Sequence, residues 1–217
     1  MTETSPHDVD LEQKAQPRQK RAIATYERLL DVAARLLEEE GVERISTNLI
    51  AEKAGITPPA LYRYFPNKYA ILRALGDRLM QRQNALFNTF LARRYTNKSR
   101  RVPATEAFLK ETLKVTREQP GALAIMRAMR AVPSVQHVRT NSHLEVTDIW
   151  TDDLVTRFPH VPRETLWAKA RLTVEFGYAA IEMAMEETTR PGPDAVLKEA
   201  ALNLTAYWSD YVAAEEE

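Results

Sequence analysis

The sequence predicts an all-α protein, and three observations carry that expectation. Apolar residues recur at helical spacing through almost the whole chain. Glycine is scarce, 6 in 217 residues, and proline sits in punctuating positions. No stretch alternates apolar and polar residues strongly enough to read as a strand. At this length the chain holds one or two domains and a large core. Its 44% hydrophobic and 28% charged residues are ordinary for a soluble globular protein.

Residues 1–17 read as a disordered, polar tail. A first helix follows from about Arg18 to Glu40, with Ile23, Leu29, Leu30, Ala33, Leu36 and Leu37 on one broad face, and Gly41 ends it. Val42 and Ile45 turn inward. Ser46 is a good N-cap for a short helix whose apolar stripe is Leu49, Ile50 and Ala54. Gly55 stands just past its end, where a left-handed residue closes the helix. Thr57 then caps a second short helix with Pro58 at its first position, where a missing N–H costs nothing. Leu61 and Phe65 face inward from it, and Tyr62, Arg63 and Tyr64 carry polar tips. Pro66 breaks the chain. Asn67 caps a longer helix that opens with Lys68 and carries Ile71, Leu72, Leu75, Leu79, Leu86, Phe87, Phe90 and Leu91 to about residue 92.

The segment 95–103, YTNKSRRVP, reads as a surface loop. Helices over about Ala104–Gln119, Gly121–Ala131 and Ser134–Phe158 are stopped by Pro120, Pro133 and the PHVP run at 159–162. Two long helices close the chain, about Arg163–Thr188 and Asp194–Ala214, separated by TRPGP. The expected division is a tail at 1–17, a first helical domain at 18–66, and a second helical domain at 67–217.

Charge supports that division. The formal net charge is zero, yet residues 14–101 carry 18 Lys/Arg against 8 Asp/Glu, and residues 102–217 carry 12 against 18. A basic portion beside an acidic remainder suits a phosphate-facing part joined to a part that avoids DNA. No apolar run approaches the roughly 20 residues of a membrane helix. The first residues lack a hydrophobic signal core, so a cytoplasmic protein is the expectation. With no cysteine there is neither a disulfide framework nor thiolate chemistry.

Two short helices joined by a tight turn form a helix-turn-helix, a device for reading the major groove. Thr47 and Asn48 open its first helix, where hydroxyl, amide and backbone N–H groups can hold a phosphate. Tyr62 and Tyr64 offer rigid rings with terminal hydroxyls to backbone phosphates, and Lys68 adds charge at the next helix start. Sequence choice falls to Thr57, Pro58, Pro59, Ala60 and Arg63. The prolines cannot donate hydrogen bonds and would meet thymine methyls or fit by shape, which leaves Arg63 as the candidate for guanine.

The long first helix ending at Gly41, the run IAEKAGIT, then ALYRYF and NKYAIL stand in the order and spacing of a known family. On these residues the segment Arg21–Leu75, with the helical remainder, resembles the TetR (tetracycline repressor) family of bacterial transcriptional regulators. Pro58 and Pro59 depart from that family's commoner pattern, which has a polar residue and often glycine there. The resemblance implies double-stranded DNA as partner, a base contact from Asn48, and a carboxy-terminal domain that dimerises and binds a small-molecule effector. It also implies repression relieved when the effector shifts the fourth helix.

Candidate effector contacts are Met126, Met129, Arg130, His143, Trp150, Phe176, Tyr178 and Met183, since pockets are mostly apolar with a few placed polar groups. A hydrophobic or amphipathic ligand suits them. The last two helices carry more apolar surface than one face requires. A two-fold homodimer interface is therefore expected at Trp167, Val174, Gly177, Ile181, Ala184, Leu197, Ala201, Leu204 and Trp208.

Catalysis is not expected. His7, His137, His143 and His160 show no i, i+4 pairing, no glycine-rich phosphate loop exists, and no nucleophile sits in a recognisable elbow. No metal or cofactor is expected either. Two rivals remain to the ligand-released repressor. One is an all-helical protein-interaction module, and the other is a constitutive DNA-binding regulator without a ligand.

Overall fold

The computed structural model describes residues 11, 19–93, 98–186, 190–209 and 211. The expected tail, apart from Leu11, and the stretches 94–97, 187–189 and 212–217 lie outside the described residues. Within them every regular element is helical: α1 Lys20–Arg44, α2 Thr47–Lys53, α3 Pro58–Leu61, α4 Lys68–Ala92, α5 Lys98–Arg117, α6 Ala122–Ala131, a 3₁₀ turn at Pro133–Val135, α7 Gln136–Arg157, α8 Arg163–Met185 and α9 Pro193–Tyr207.

The chain folds as two compact units, and their boundary differs from a cut at residue 66. The first unit comprises residues 1–80 and 118–140, and the second comprises 81–117 and 141–217. α4 and α7 therefore each contribute one end to either unit. The reason is burial. Leu72, Leu75 and Leu79 of α4 and Ile125, Met126 and Met129 of α6 are buried core residues, as are Leu29, Leu30, Leu36 and Leu37 of α1. A three-helix motif alone is too small to bury these faces.

Two glycines position the helices of the first unit. Gly41 has φ 75° and ψ 167°, so α1 leaves helical geometry there before Ile45 turns into the core. Gly121, at φ 63°, starts α6 directly against α1, where an added Cβ would overlap the Ala34 carbonyl oxygen. An ion clasp joins α1 to α4: Arg78 donates to Glu27 at 2.9 Å and to Asp31 at 3.1 Å. Ile23 does not share the buried face expected of it and is 42% exposed.

In the second unit α5, α8 and α9 pack closely on one another. α5 begins at Lys98, so residues 98–103 are helical where a surface loop was expected, and Pro103 lies inside the helix. Proline's fixed φ near −65° matches a helix, and so early in α5 it forfeits a single i−4 bond. An aromatic chain runs through this unit. Phe90 stacks on Phe108 at 4.6 Å, Phe87 meets Trp150 at 5.7 Å, and Trp150 meets Trp208 at 5.1 Å. No described helix is long and apolar enough to cross a membrane.

Candidate nucleic-acid interface

The helix-turn-helix is punctuated by hydrogen bonds that the sequence announces. Ser46 Oγ accepts the Leu49 N–H at 3.2 Å, which caps α2. At its far end Gly55, φ 65°, donates to the Glu52 carbonyl and Ile56 to the Ala51 carbonyl, both at 3.0 Å. This double closure requires the left-handed residue. Thr57 enters α3 in extended conformation without a side-chain cap, and Pro58 occupies the first turn.

α3 is shorter than expected. Its helical part ends at Leu61, and the chain continues as a turn in which the N–H groups of Tyr64 and Phe65 both donate to the Leu61 carbonyl, at 2.8 and 3.1 Å. Pro66 bars any helical continuation past Phe65, because the residue before proline disfavours helical geometry. Leu61 and Phe65 are fully buried and hold this segment to the core. Tyr26 of α1 supplies a support absent from the expected motif. Its ring stacks on Phe65 at 5.2 Å and meets Tyr64 at 6.5 Å.

Asn48, Thr57, Pro58, Pro59, Tyr62 and Arg63 are exposed, and Thr47, Ala60, Tyr64 and Lys68 are half-buried. Thr47 Oγ1 and the Tyr62 hydroxyl lie 3.0 Å apart and join the start of α2 to the end of α3. When one hydroxyl donates to the other, the second keeps its proton for an outside acceptor such as a phosphate. Tyr64 is held through its ring by Tyr26, so any outward contact falls to its hydroxyl. Lys68 has a structural bond that sequence does not reveal: Nζ donates to the Val42 carbonyl at 2.9 Å and straps α4 to the chain just past Gly41. Asn67 Oδ1 caps α4 by accepting the Ala70 N–H at 3.0 Å.

The expected effector contacts fall in both units. Met126 and Met129 are core residues of the first unit, with Met129 packed onto Gly76, and Arg130 is exposed. In the second unit His143 and Tyr178 are buried with ring centroids 4.7 Å apart, and Trp150 is half-buried within the aromatic chain. Phe176 and Met183 are 62% and 48% exposed, so neither lines the interior of this chain.

The expected dimer residues are largely spent inside the protomer. Ile181, Ala184, Leu197, Ala201 and Leu204 are buried. Trp167 donates to Asp148 at 2.7 Å, Trp208 donates to Thr173 at 3.0 Å, half-buried Val174 lies on the same helix, and Gly177 faces Leu109 of α5. The exposed apolar stripe of α8 lies on its other face, at Ala168, Leu172, Phe176, Ala179 and Met183, with Leu202 and Ala206 exposed on α9. These exposed apolar residues are not the ones expected at the interface.

A short capped helix, a glycine-closed turn and a second helix showing its polar tips define a helix-turn-helix protein. The chain matches, over residues 29–75 that hold the helix-turn-helix, the family model described as bacterial regulatory proteins, tetR family. It is 31% identical over 101 residues to the nucleoid occlusion factor SlmA of Actinobacillus pleuropneumoniae, covering 46% of this chain and 48% of that protein. The matched region thus spans about half the length of that relative. It is 38% identical over 58 residues to the class D tetracycline repressor of Escherichia coli, covering 27% of each. A putative TetR-family regulator from Syntrophomonas wolfei has the same fold, with a TM-score of 0.66 at 12% identity, covering 87% of this chain and 95% of that one.

Proposed function

We propose that the protein is a dimeric transcriptional regulator that binds a palindromic DNA operator through α2 and α3 and is released from it by a small molecule. The exposure of Asn48, Thr57, Pro58, Pro59, Tyr62 and Arg63 on one capped helix-turn-helix carries this reading. Thr47, Asn48, Tyr62, Tyr64 and Lys68 serve the phosphate backbone and set register. Thr57, Pro58, Pro59, Ala60 and Arg63 face base edges. Two copies follow from the geometry of such readers, which need one per half-site. The α8 stripe of Leu172, Phe176 and Met183 with α9 supplies an apolar face for that pairing. Effector coupling of about 1–3 kcal/mol would suffice to change operator occupancy.

Operator binding is tested by titrating a selected duplex at several salt concentrations. Multiple phosphate contacts predict a steep linear fall of log affinity with log salt. Arg63→Ala is expected to cost about 1–3 kcal/mol on the preferred sequence and to relax choice at one base pair per half-site. Equal weakening on every sequence would make Arg63 a phosphate contact. A flat salt response would favour a protein-docking role for the helix-turn-helix.

A further inference from the structure

The second unit has an ionic group that joins a buried histidine to a half-buried arginine and glutamate. Arg171 of α8 donates from Nη2 to Glu175 Oε1 at 2.6 Å, one helical turn along. His143 of α7 reaches the same oxygen through Nδ1 at 3.1 Å, and its residue is only 4% exposed. A carboxylate only accepts, so His143 Nδ1 carries the proton. Glu175 thus fixes a guanidinium and an imidazole at once. The other terminal nitrogen of Arg171, Nη1, is buried with no hydrogen-bond partner among the described residues. A buried, charged donor left unmatched is costly, and folded proteins rarely retain one without a use.

The chemistry of the donor, and of the α7 face that carries His143, narrows what would match it. On the face of α7 that carries His143, Thr147 and Thr151 follow at one-turn intervals, both fully buried. Their hydroxyls donate to the carbonyls four residues back, at 2.6 and 2.7 Å, which leaves oxygen lone pairs as acceptors. Trp150 stands beside them in the sequence and leads into the aromatic chain through Phe87 and Trp208. The unmatched group is a donor, so a cation does not fit it. One guanidinium prong alone is too little for a phosphate dianion. A guanidinium fork with one prong on Glu175 suits a second carboxylate on the other.

We propose that Arg171, positioned by Glu175 with His143, binds the carboxylate of an organic acid whose body is apolar. The inference rests on the effector reading above and gives that effector its chemistry. Arg171 Nη1 takes the anion, and the apolar body lies toward the aromatic side chains of the second unit.

The test uses the full chain without DNA. Straight-chain carboxylates from hexanoate to dodecanoate, and 1-naphthoate, are each titrated against the primary amide of the same skeleton. Intrinsic fluorescence is the readout, because all three tryptophans, Trp150, Trp167 and Trp208, belong to the second unit. At least one acid is expected to bind saturably at one per chain, and its amide about tenfold more weakly or worse. Arg171→Gln is expected to remove that preference. If circular dichroism shows Arg171→Gln unfolded, Arg171→Lys keeps the charge without the fork and is expected to weaken the acid about tenfold while sparing the amide. The proposal is overturned if no acid binds, if acid and amide bind alike, or if the preference survives in the folded variant. Repeating the titration on the operator complex separates the two readings. An acid that binds without loosening DNA leaves this site standing and removes the release step; release by compounds that ignore Arg171 does the reverse.

Discussion

Gly121 and Gly55 both adopt left-handed backbone, at φ 63° and 65°, yet their surroundings differ. A Cβ at Gly55 meets nothing within 4 Å, whereas one at Gly121 runs into the backbone carbonyl of Ala34. Gly55→Ala is therefore expected to cost about 1 kcal/mol, the conformational term alone. Gly121→Ala adds a clash between α6 and α1 and is expected to cost about 3 kcal/mol or more. Urea unfolding of the two variants checks the difference, and equal losses would refute the close approach. Asp77 gives a pH-dependent counterpart. Burial pushes its carboxyl above the usual carboxylate range, and Arg73 and His137 oppose this without cancelling it. Ionised Asp77 is thus a cost to the folded state. That cost is absent where the carboxyl is protonated in both states, sets in as pH rises through the carboxylate range, and is complete above the raised folded value. Asp77→Asn should raise Tm at neutral pH and lose the advantage below about pH 4. The effect should be small, because the side chain is 42% exposed and screened by water. A variant less stable than the parent at neutral pH would contradict this account.

At the scale of elements, local signals were legible and opposed faces were not. Ser46, Gly55, Asn67 and Gly41 act on backbone groups within a few residues, so their roles follow from position in the sequence. Ser46→Ala should cost about 1 kcal/mol of stability, read by thermal unfolding, because the Leu49 N–H at 3.2 Å loses its acceptor. A neutral result would mean that water caps α2 equally well. α8 is apolar on two sides, with Leu166, Ala170, Ile181 and Ala184 on one and Leu172, Phe176 and Met183 on the other. Periodicity finds both stripes, but only the packing of α5 and α9 decides which is buried. The Arg171–Glu175 spacing is visible in the sequence, while His143 stands 32 residues away and is joined to it only by the fold. Tyr26 and the Arg78 clasp were hidden for the same reason.

For the whole molecule, the exposed α8 stripe and the charge asymmetry describe one design. The basic excess lies in residues 14–101, which include the reading helices, and the acidic remainder carries the exposed apolar stripe of α8. Phe176, 62% exposed, adds nothing to the protomer core, so Phe176→Glu should leave folding intact and drive a dimer toward monomer. Sedimentation equilibrium with circular dichroism reads both quantities, and an unchanged mass would remove α8 from the interface. Such a monomer should also bind an operator far more weakly, having lost the second half-site. The most direct test of the regulator assignment is selection of genomic duplex fragments by the purified protein at physiological salt, read by sequencing. The account predicts recovery of a palindrome whose half-sites lie about one helical turn, ~34–36 Å, or a multiple of it apart. A folded, dimeric protein that enriches no sequence above background would contradict it.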